Sequence, residues 1–112
     1  MTVADLEHRL GCVPLIPYQD AALAGAYTSD MLSDVMAHAP EDCVLITLQA
    51  HKNTVACASL AGIRAIVLAG QREAPPDMLE AAKTENIAVF ASPMRQFELS
   101  WRVAALLGLG NA

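Results

Sequence analysis

Asp42-Cys43-Val44-Leu45-Ile46-Thr47-Leu48 opens the stretch that decides the fold, and Arg64-Ala65-Ile66-Val67-Leu68-Ala69-Gly70, followed by Gln71 and Arg72, closes it. The first run is short, apolar and rich in β-formers, with Pro40-Glu41-Asp42 before it and polar residues after it. Between the two runs, Asn53 to Leu60 reads as a small-residue helix stopped by Gly62. Both runs are apolar at successive positions, the pattern of parallel strands covered by helices on each face. The crossover between them is expected to be right-handed.

Working outward, Thr2 caps a first helix running through Arg9, with Asp5 three residues on as its box partner and Gly11 at its end. Cys12 to Tyr18 is apolar but holds Pro14 and Pro17, which marks an edge strand or an extended segment. Ala21 to Ala26 is a small-residue stretch with no assigned form. Thr28-Ser29 is read as the cap of a helix from about Asp30 to Ala39, stopped by Pro40. In that helix Ser29-Asp30 and Ser33-Asp34 would share one face, and Met31, Leu32, Val35 and Met36 would form the apolar face.

On the C-terminal side, Asp77 caps a helix over Met78 to Glu85 behind Pro75-Pro76, and Asn86 ends it in a left-handed turn. Ile87 to Ala91 is the next buried strand. Ser92 is expected to cap a last helix with Pro93 at its first position, ending at Gly108. Its apolar arc includes Met94, Phe97, Leu99, Trp101, Val103, Ala104, Leu106 and Leu107. That arc is wider than one sheet contact requires. Either the N-terminal segment wraps it or another subunit meets it, and a homodimer is expected.

The fold class that follows is α/β: a three-layer α/β/α sandwich whose mostly parallel sheet has four to five strands, in one domain over residues 1–112. A chain of 112 residues is long enough to bury a core. With 54% hydrophobic and 17% charged residues, disorder is excluded as the main state. The longest uncharged run, Asn53 to Ile63, is 11 residues, short of the roughly 20 a membrane span needs. Acidic residues stand near the N-terminus where a signal peptide carries basic ones. A cytoplasmic protein with no membrane partner is therefore expected. Seven basic against 12 acidic residues, with no basic cluster, argue against a nucleic-acid partner. Cys12, Cys43 and Cys57 form no C-x-x-C pair and fit reduced thiols.

Open parallel sheets bind ligands at the carboxyl ends of their strands. Here those ends carry Thr47-Leu48-Gln49-Ala50-His51, Gly70-Gln71-Arg72 and Ser92-Pro93. The candidate ligand residues are Thr47, Gln49, His51, Asn53, Gly70, Arg72 and Ser92. Gly70, Gln71 and Arg72 could place backbone N–H groups and a guanidinium near a phosphate, or simply make a tight turn. His51 is a ligand donor or an exposed helix-start residue, and Asn53 is the expected helix cap. Ser29, Asp30, Ser33, Asp34 and Trp101 are candidates for an interaction face. The cysteines, with His8, His38 and His51, lack zinc spacing. No metal and no cofactor are expected.

The segment from about Cys43 to Phe97 resembles the DRTGG domain, in its two strands, the Pro75-Pro76-Asp77 loop and Asn86-Ile87-Ala88-Val89. Ala26 to Met36 is similar to the small stand-alone members. The resemblance implies a three-layer α/β/α fold like the N-terminal domain of HPr kinase/phosphorylase, and a regulatory role beside metabolic enzymes. Stand-alone copies are often labelled HPr serine kinase, but this chain has no G-x-x-x-x-G-K-[ST] phosphate loop, so kinase activity is not expected. Gln49-Ala50-His51-Lys52 stands where the family's Asp-Arg pair is expected, and Ala69-Gly70-Gln71 replaces its Thr-Gly-Gly turn.

Three functional readings follow. The first is a non-enzymatic regulatory domain that binds an adenine nucleotide or another small anionic metabolite at the strand carboxyl ends and acts on a partner metabolic enzyme. The second is a protein–protein interaction module with no ligand. The third is a small enzyme built on Thr47, His51 and Ser92.

Overall fold

Strand alternation decides where each side chain of the two apolar runs goes. Cys43–Thr47 (β3) and Ala65–Leu68 (β4) are extended and buried throughout. Cys43, Leu45, Ile66 and Leu68 join one core cluster, while Val44, Ile46, Ala65 and Val67 join another. Successive side chains of a strand point to opposite faces, so the sheet needs cover on both.

The computed structural model describes residues 1–109. Three further strands complete the sheet: Val13–Pro14 (β1), Gly25–Thr28 (β2) and Ala88–Ala91 (β5). The order is β1-β5-β4-β3-β2. Strands β2 to β5 are parallel, with Val44 opposite Ala65 and Ile66 opposite Val89, and β1 runs antiparallel to β5 at the edge. Helices Leu32–His38 (α2), Lys52–Ala61 (α3) and Pro76–Glu85 (α4) cover one face through Val35, Val55, Ala58, Met78 and Ala82. Helices Val3–His8 (α1) and Gln96–Leu107 (α5) cover the other through Val3, Leu6, Leu99 and Val103. The three-layer α/β sandwich with a mostly parallel sheet is the architecture expected, with five strands. No helix among the described residues is long and apolar enough to cross a membrane.

Gly62 and Asn86 end α3 and α4 in the left-handed region, at φ 75° and 55°. Asp42 also has positive φ, at 58°. Its N–H donates to the Gly62 carbonyl, its own carbonyl accepts from Ala24, and its carboxylate accepts from Arg64 Nε at 2.9 Å. The turn before β3 is thus tied to the turn before β4. A Cβ on Gly62 would stand 3.1 Å from Glu41 Cγ in addition to being strained by its φ. Gly62→Ala is expected to lower stability by about 1–2 kcal/mol, read by urea denaturation; an unchanged midpoint would show that the turn adapts.

Four boundaries differ from the sequence reading. Helix α4 begins at Pro76 with Pro75 at its cap position, so Asp77 lies inside the first turn and does not cap it. Strand β2 forms at Gly25–Thr28, inside and beyond the stretch left without a form. Helix α2 begins at Leu32, with Met31 rather than Thr28-Ser29 at its cap position, so Ser29 and Asp30 lie in the β2–α2 loop. The two Ser-Asp pairs therefore do not share a helix face. Helix α5 begins at Gln96 behind Arg95, not at Pro93. Ser92 Oγ accepts the Met94 N–H at 3.1 Å and holds residues 92–95 as a turn.

The wide apolar arc of α5 is divided. Leu99 and Val103 are fully buried, with Met94 and Leu107 packed at the margin of the core that α1 shares. Phe97 and Trp101, one turn apart, are 83% and 49% exposed.

Candidate functional site

The carboxyl edge of the sheet is organised by one carboxylate. Asp30 Oδ1 accepts the Leu48 N–H at 2.7 Å, the Thr47 hydroxyl at 3.1 Å and the Gln96 side-chain amide at 3.0 Å. The end of β3, the β2–α2 loop and the first residue of α5 are joined at that oxygen. Gln49 reinforces the junction: its side-chain amide donates to the Asp30 carbonyl at 2.9 Å, and its N–H donates to Thr47 Oγ1 at 3.1 Å. Thr54 Oγ1 then donates to the Gln49 carbonyl, tying α3 to the same loop. Hydrogen bonds to a charged acceptor are the stronger kind, which explains why Asp30 leaves the helix the sequence assigned to it. Ser29 Oγ accepts the Met31 N–H in the same loop.

His51, rather than Asn53, caps α3. Its Nδ1 accepts the Asn53 backbone N–H at 3.0 Å. An accepting Nδ1 carries no proton, so the neutral ring holds its N–H at Nε2. The Asn53 side chain is left free of the capping role and lies beside His51. Asp30, Met31, Leu32, Gln49, His51 and Asn53 line an open cleft of about 700 Å³ between the starts of α2 and α3.

The other candidates lie elsewhere. Gly70 N–H donates to the Met94 carbonyl and Gln71 N–H to the Ser92 carbonyl, each at 2.9 Å. These two donors close the β4 loop onto the turn before α5 and are not offered to a phosphate. Ser92 is buried at 1% exposure. Arg72 and Ser92 line a separate cleft of about 490 Å³ with Val13, Gln71, Glu73 and Pro93. Thr47 is fully buried. Thr47, His51 and Ser92 thus do not meet in one cleft, and each already serves a turn or a cap. The small-enzyme reading loses the group on which it rested.

Within the proposed interaction face, Ser33 is exposed while Asp34 accepts the Tyr27 hydroxyl at 2.8 Å and pairs with His38 Nδ1 at 3.1 Å. The Tyr27 O–H, with help from Ser29 and His38, holds the Asp34 carboxyl below its usual value. Trp101 lies on α5 with the Arg102 guanidinium 4.8 Å from its ring centre, and Arg102 also bonds Glu98. Thr28 and Ser100 hydroxyls meet at 2.8 Å and fix α5 to the end of β2.

A more enclosed cleft of about 350 Å³ lies at the amino ends of β4 and β5, between Tyr18, Asp20, Arg64 and Asn86. Its charged groups are committed: Arg64 to Asp42, Lys83 to Glu80, and Asp20 to the N–H groups of Ala4 and Ala21. The carboxyl edge, with side chains facing open space, is the better candidate. The three thiols are buried, and burial pushes Cys12 and Cys43 up to about 11 and raises Cys57, so none is poised as a nucleophile. Among the described residues no three His, Cys, Asp or Glu side chains gather as a metal site.

Residue-type reasoning named Asp30, Gln49, His51 and Asn53 but missed Gln96, Met31 and Leu32 as parts of this edge. Gln96 lies 66 residues from Asp30, and no local pattern announces that pairing.

A comparison with protein-family models finds no match, and a comparison with curated proteins finds none. Among solved structures, the chain is similar to the CBS and DRTGG domains of the regulatory region of Clostridium perfringens pyrophosphatase, a crystal structure in complex with the activator diadenosine tetraphosphate. The TM-score is 0.56 and the identity 18%, over 75% of this chain and 34% of that one. The chain thus spans about a third of the structure it matches. The likeness shows a shared α/β fold.

Proposed function

We propose that this chain is a non-enzymatic, DRTGG-like regulatory domain that senses an adenine nucleotide at the carboxyl edge of its sheet and acts on a partner enzyme in the cytoplasm. The observation that carries this reading is the cleft beside Asp30. Its polar side chains converge from two loops at strand carboxyl ends, beside the apolar Met31 and Leu32. Ligand sites combine an apolar wall with a few polar groups in this way. The shared fold with a regulatory region crystallised with an adenine-nucleotide activator supports the same choice. A likeness to the N-terminal domain of HPr kinase/phosphorylase belongs to this proposal and brings no kinase chemistry with it.

A thermal-shift titration against AMP, ADP, ATP and diadenosine tetraphosphate tests it. A ligand at 100 times its dissociation constant adds about 2.7 kcal/mol, a rise on the order of 10 °C at roughly 4–8 °C per kcal/mol for a domain of this size. A flat response to all four would reject the nucleotide reading.

The exposed pair Phe97 and Trp101 favours a second reading, an interaction module that dimerises through α5. Aromatic side chains are enriched at the centres of interfaces. The double variant Phe97→Asp, Trp101→Asp is expected to elute as a folded monomer where the parent elutes as a dimer. A parent chain that sediments as a monomer at high concentration would end that reading.

A further inference from the structure

We infer that the cleft beside Asp30 takes the ribose and base of its ligand and excludes the phosphates; this rests on the nucleotide reading above and gives it an orientation. The charge at this cleft is negative. Asp30 is its charged member, and Met31, Leu32, Gln49, His51 and Asn53 bring no fixed cation. The donors that an anion would seek at the end of β3, the Leu48 N–H and the Thr47 hydroxyl, already bond to Asp30 Oδ1. The protein's own carboxylate therefore occupies the place where a phosphate would sit at a parallel strand end. A phosphate brought to the end of β3 would meet a like charge, with the Leu48 N–H and the Thr47 hydroxyl already taken.

The same arrangement suits a sugar. Three donors, from Thr47, Leu48 and Gln96, hold Oδ1 in place, and none of the described residues bonds Oδ2. A fixed carboxylate with a free oxygen accepts vicinal hydroxyls, as an acidic residue accepts the ribose hydroxyl in dinucleotide-binding folds. His51 contributes a donor at Nε2, because Nδ1 is occupied by the Asn53 N–H. The Asn53 carboxamide offers both a donor and an acceptor to a base edge. Met31, 64% exposed, and Leu32 supply apolar surface for the base face. The phosphates then extend away from Asp30 into solvent or toward a partner.

Isothermal titration of the full chain with adenosine, 2′-deoxyadenosine, 3′-deoxyadenosine, AMP and pyrophosphate tests this orientation. Adenosine is expected to bind within a few-fold of AMP. At least one deoxy compound should bind about ten- to a hundredfold more weakly, the loss of a hydrogen bond to a charged acceptor. Pyrophosphate should not compete. Asp30→Asn, checked for folding by its far-ultraviolet spectrum, should narrow the gap between adenosine and the weaker deoxy compound. If AMP binds but adenosine does not, or if pyrophosphate displaces AMP, the orientation is wrong while the nucleotide reading stands. If both deoxy compounds match adenosine, Asp30 is not the ribose acceptor. If neither nucleosides nor AMP bind, both readings fall together.

Discussion

Phe90→Ala is expected to lose about 3–5 kcal/mol of stability, the range for deleting a fully buried aromatic side chain. Phe90 is completely buried on β5 and packs in the cluster formed with Val3, Leu6, Leu99 and Val103. The Tyr18 ring lies 5.1 Å away, tilted by 59°, a favoured arrangement for an aromatic pair. The ring therefore sits where α1, α5 and the segment after β1 all meet the sheet. Truncation removes apolar area and leaves a gap that elements on three sides cannot all close. Small domains have only about 5–15 kcal/mol in total, so the melting temperature should fall by roughly 15–30 °C. Urea denaturation of the parent and the variant measures the loss. A cost below about 1 kcal/mol would mean that the layer of α1 and α5 relaxes onto the sheet, against the close packing described.

Asp30→Ala is the second large effect, and it separates a structural junction from a surface charge. The substitution strips Leu48 N–H, the Thr47 hydroxyl and the Gln96 amide of their shared acceptor. Bonds to a charged acceptor contribute about 1.5–3 kcal/mol each, but they are not additive. Asp30 is also half-buried, so water replaces part of what is lost. A net cost of about 2–3 kcal/mol is expected on that ground. Amide exchange at Leu48 should accelerate more than exchange within β4, since the opening is local. Gln96→Ala should cost less, and in the Asp30→Ala background its effect should shrink, because the two share one bond. Equal, independent costs for the two substitutions would sink the idea that the edge is organised through Asp30.

The central architecture was legible in the residues because its determinants are local and periodic. Two runs apolar at every position, Cys43–Ile46 and Ala65–Leu68, demand cover on both faces of a sheet. Gly62 and Asn86 stand where α3 and α4 need a residue that tolerates positive φ. Thr2 with Asp5 marks the start of α1, where the Asp5 carboxylate accepts the Thr2 N–H at 2.8 Å. Pro14 foretold an edge position, and β1 lies at the edge.

What the sequence could not decide was every feature whose partner is far along the chain. Gly25–Thr28 opens on Gly25 and Ala26, which disfavour strands, and becomes a strand because its residues pair with Cys43–Ile46. The Ser-Asp repeat looked like one helix face, yet Asp30 left the helix for donors on β3 and α5 while Asp34 stayed on α2 and took the Tyr27 hydroxyl. Ser92 has the residue type of a helix cap, but the bonds from Gly70 and Gln71 to its turn delay α5 to Gln96. In each case a short polar side chain or a small-residue backbone had several local options of similar free energy. Thus the sequence by itself determined the layered sheet and the C-terminal ends of α3 and α4, through burial and backbone sterics. Only the tertiary structure decided which polar groups meet at the carboxyl edge, because those hydrogen bonds exist only once distant segments are packed together.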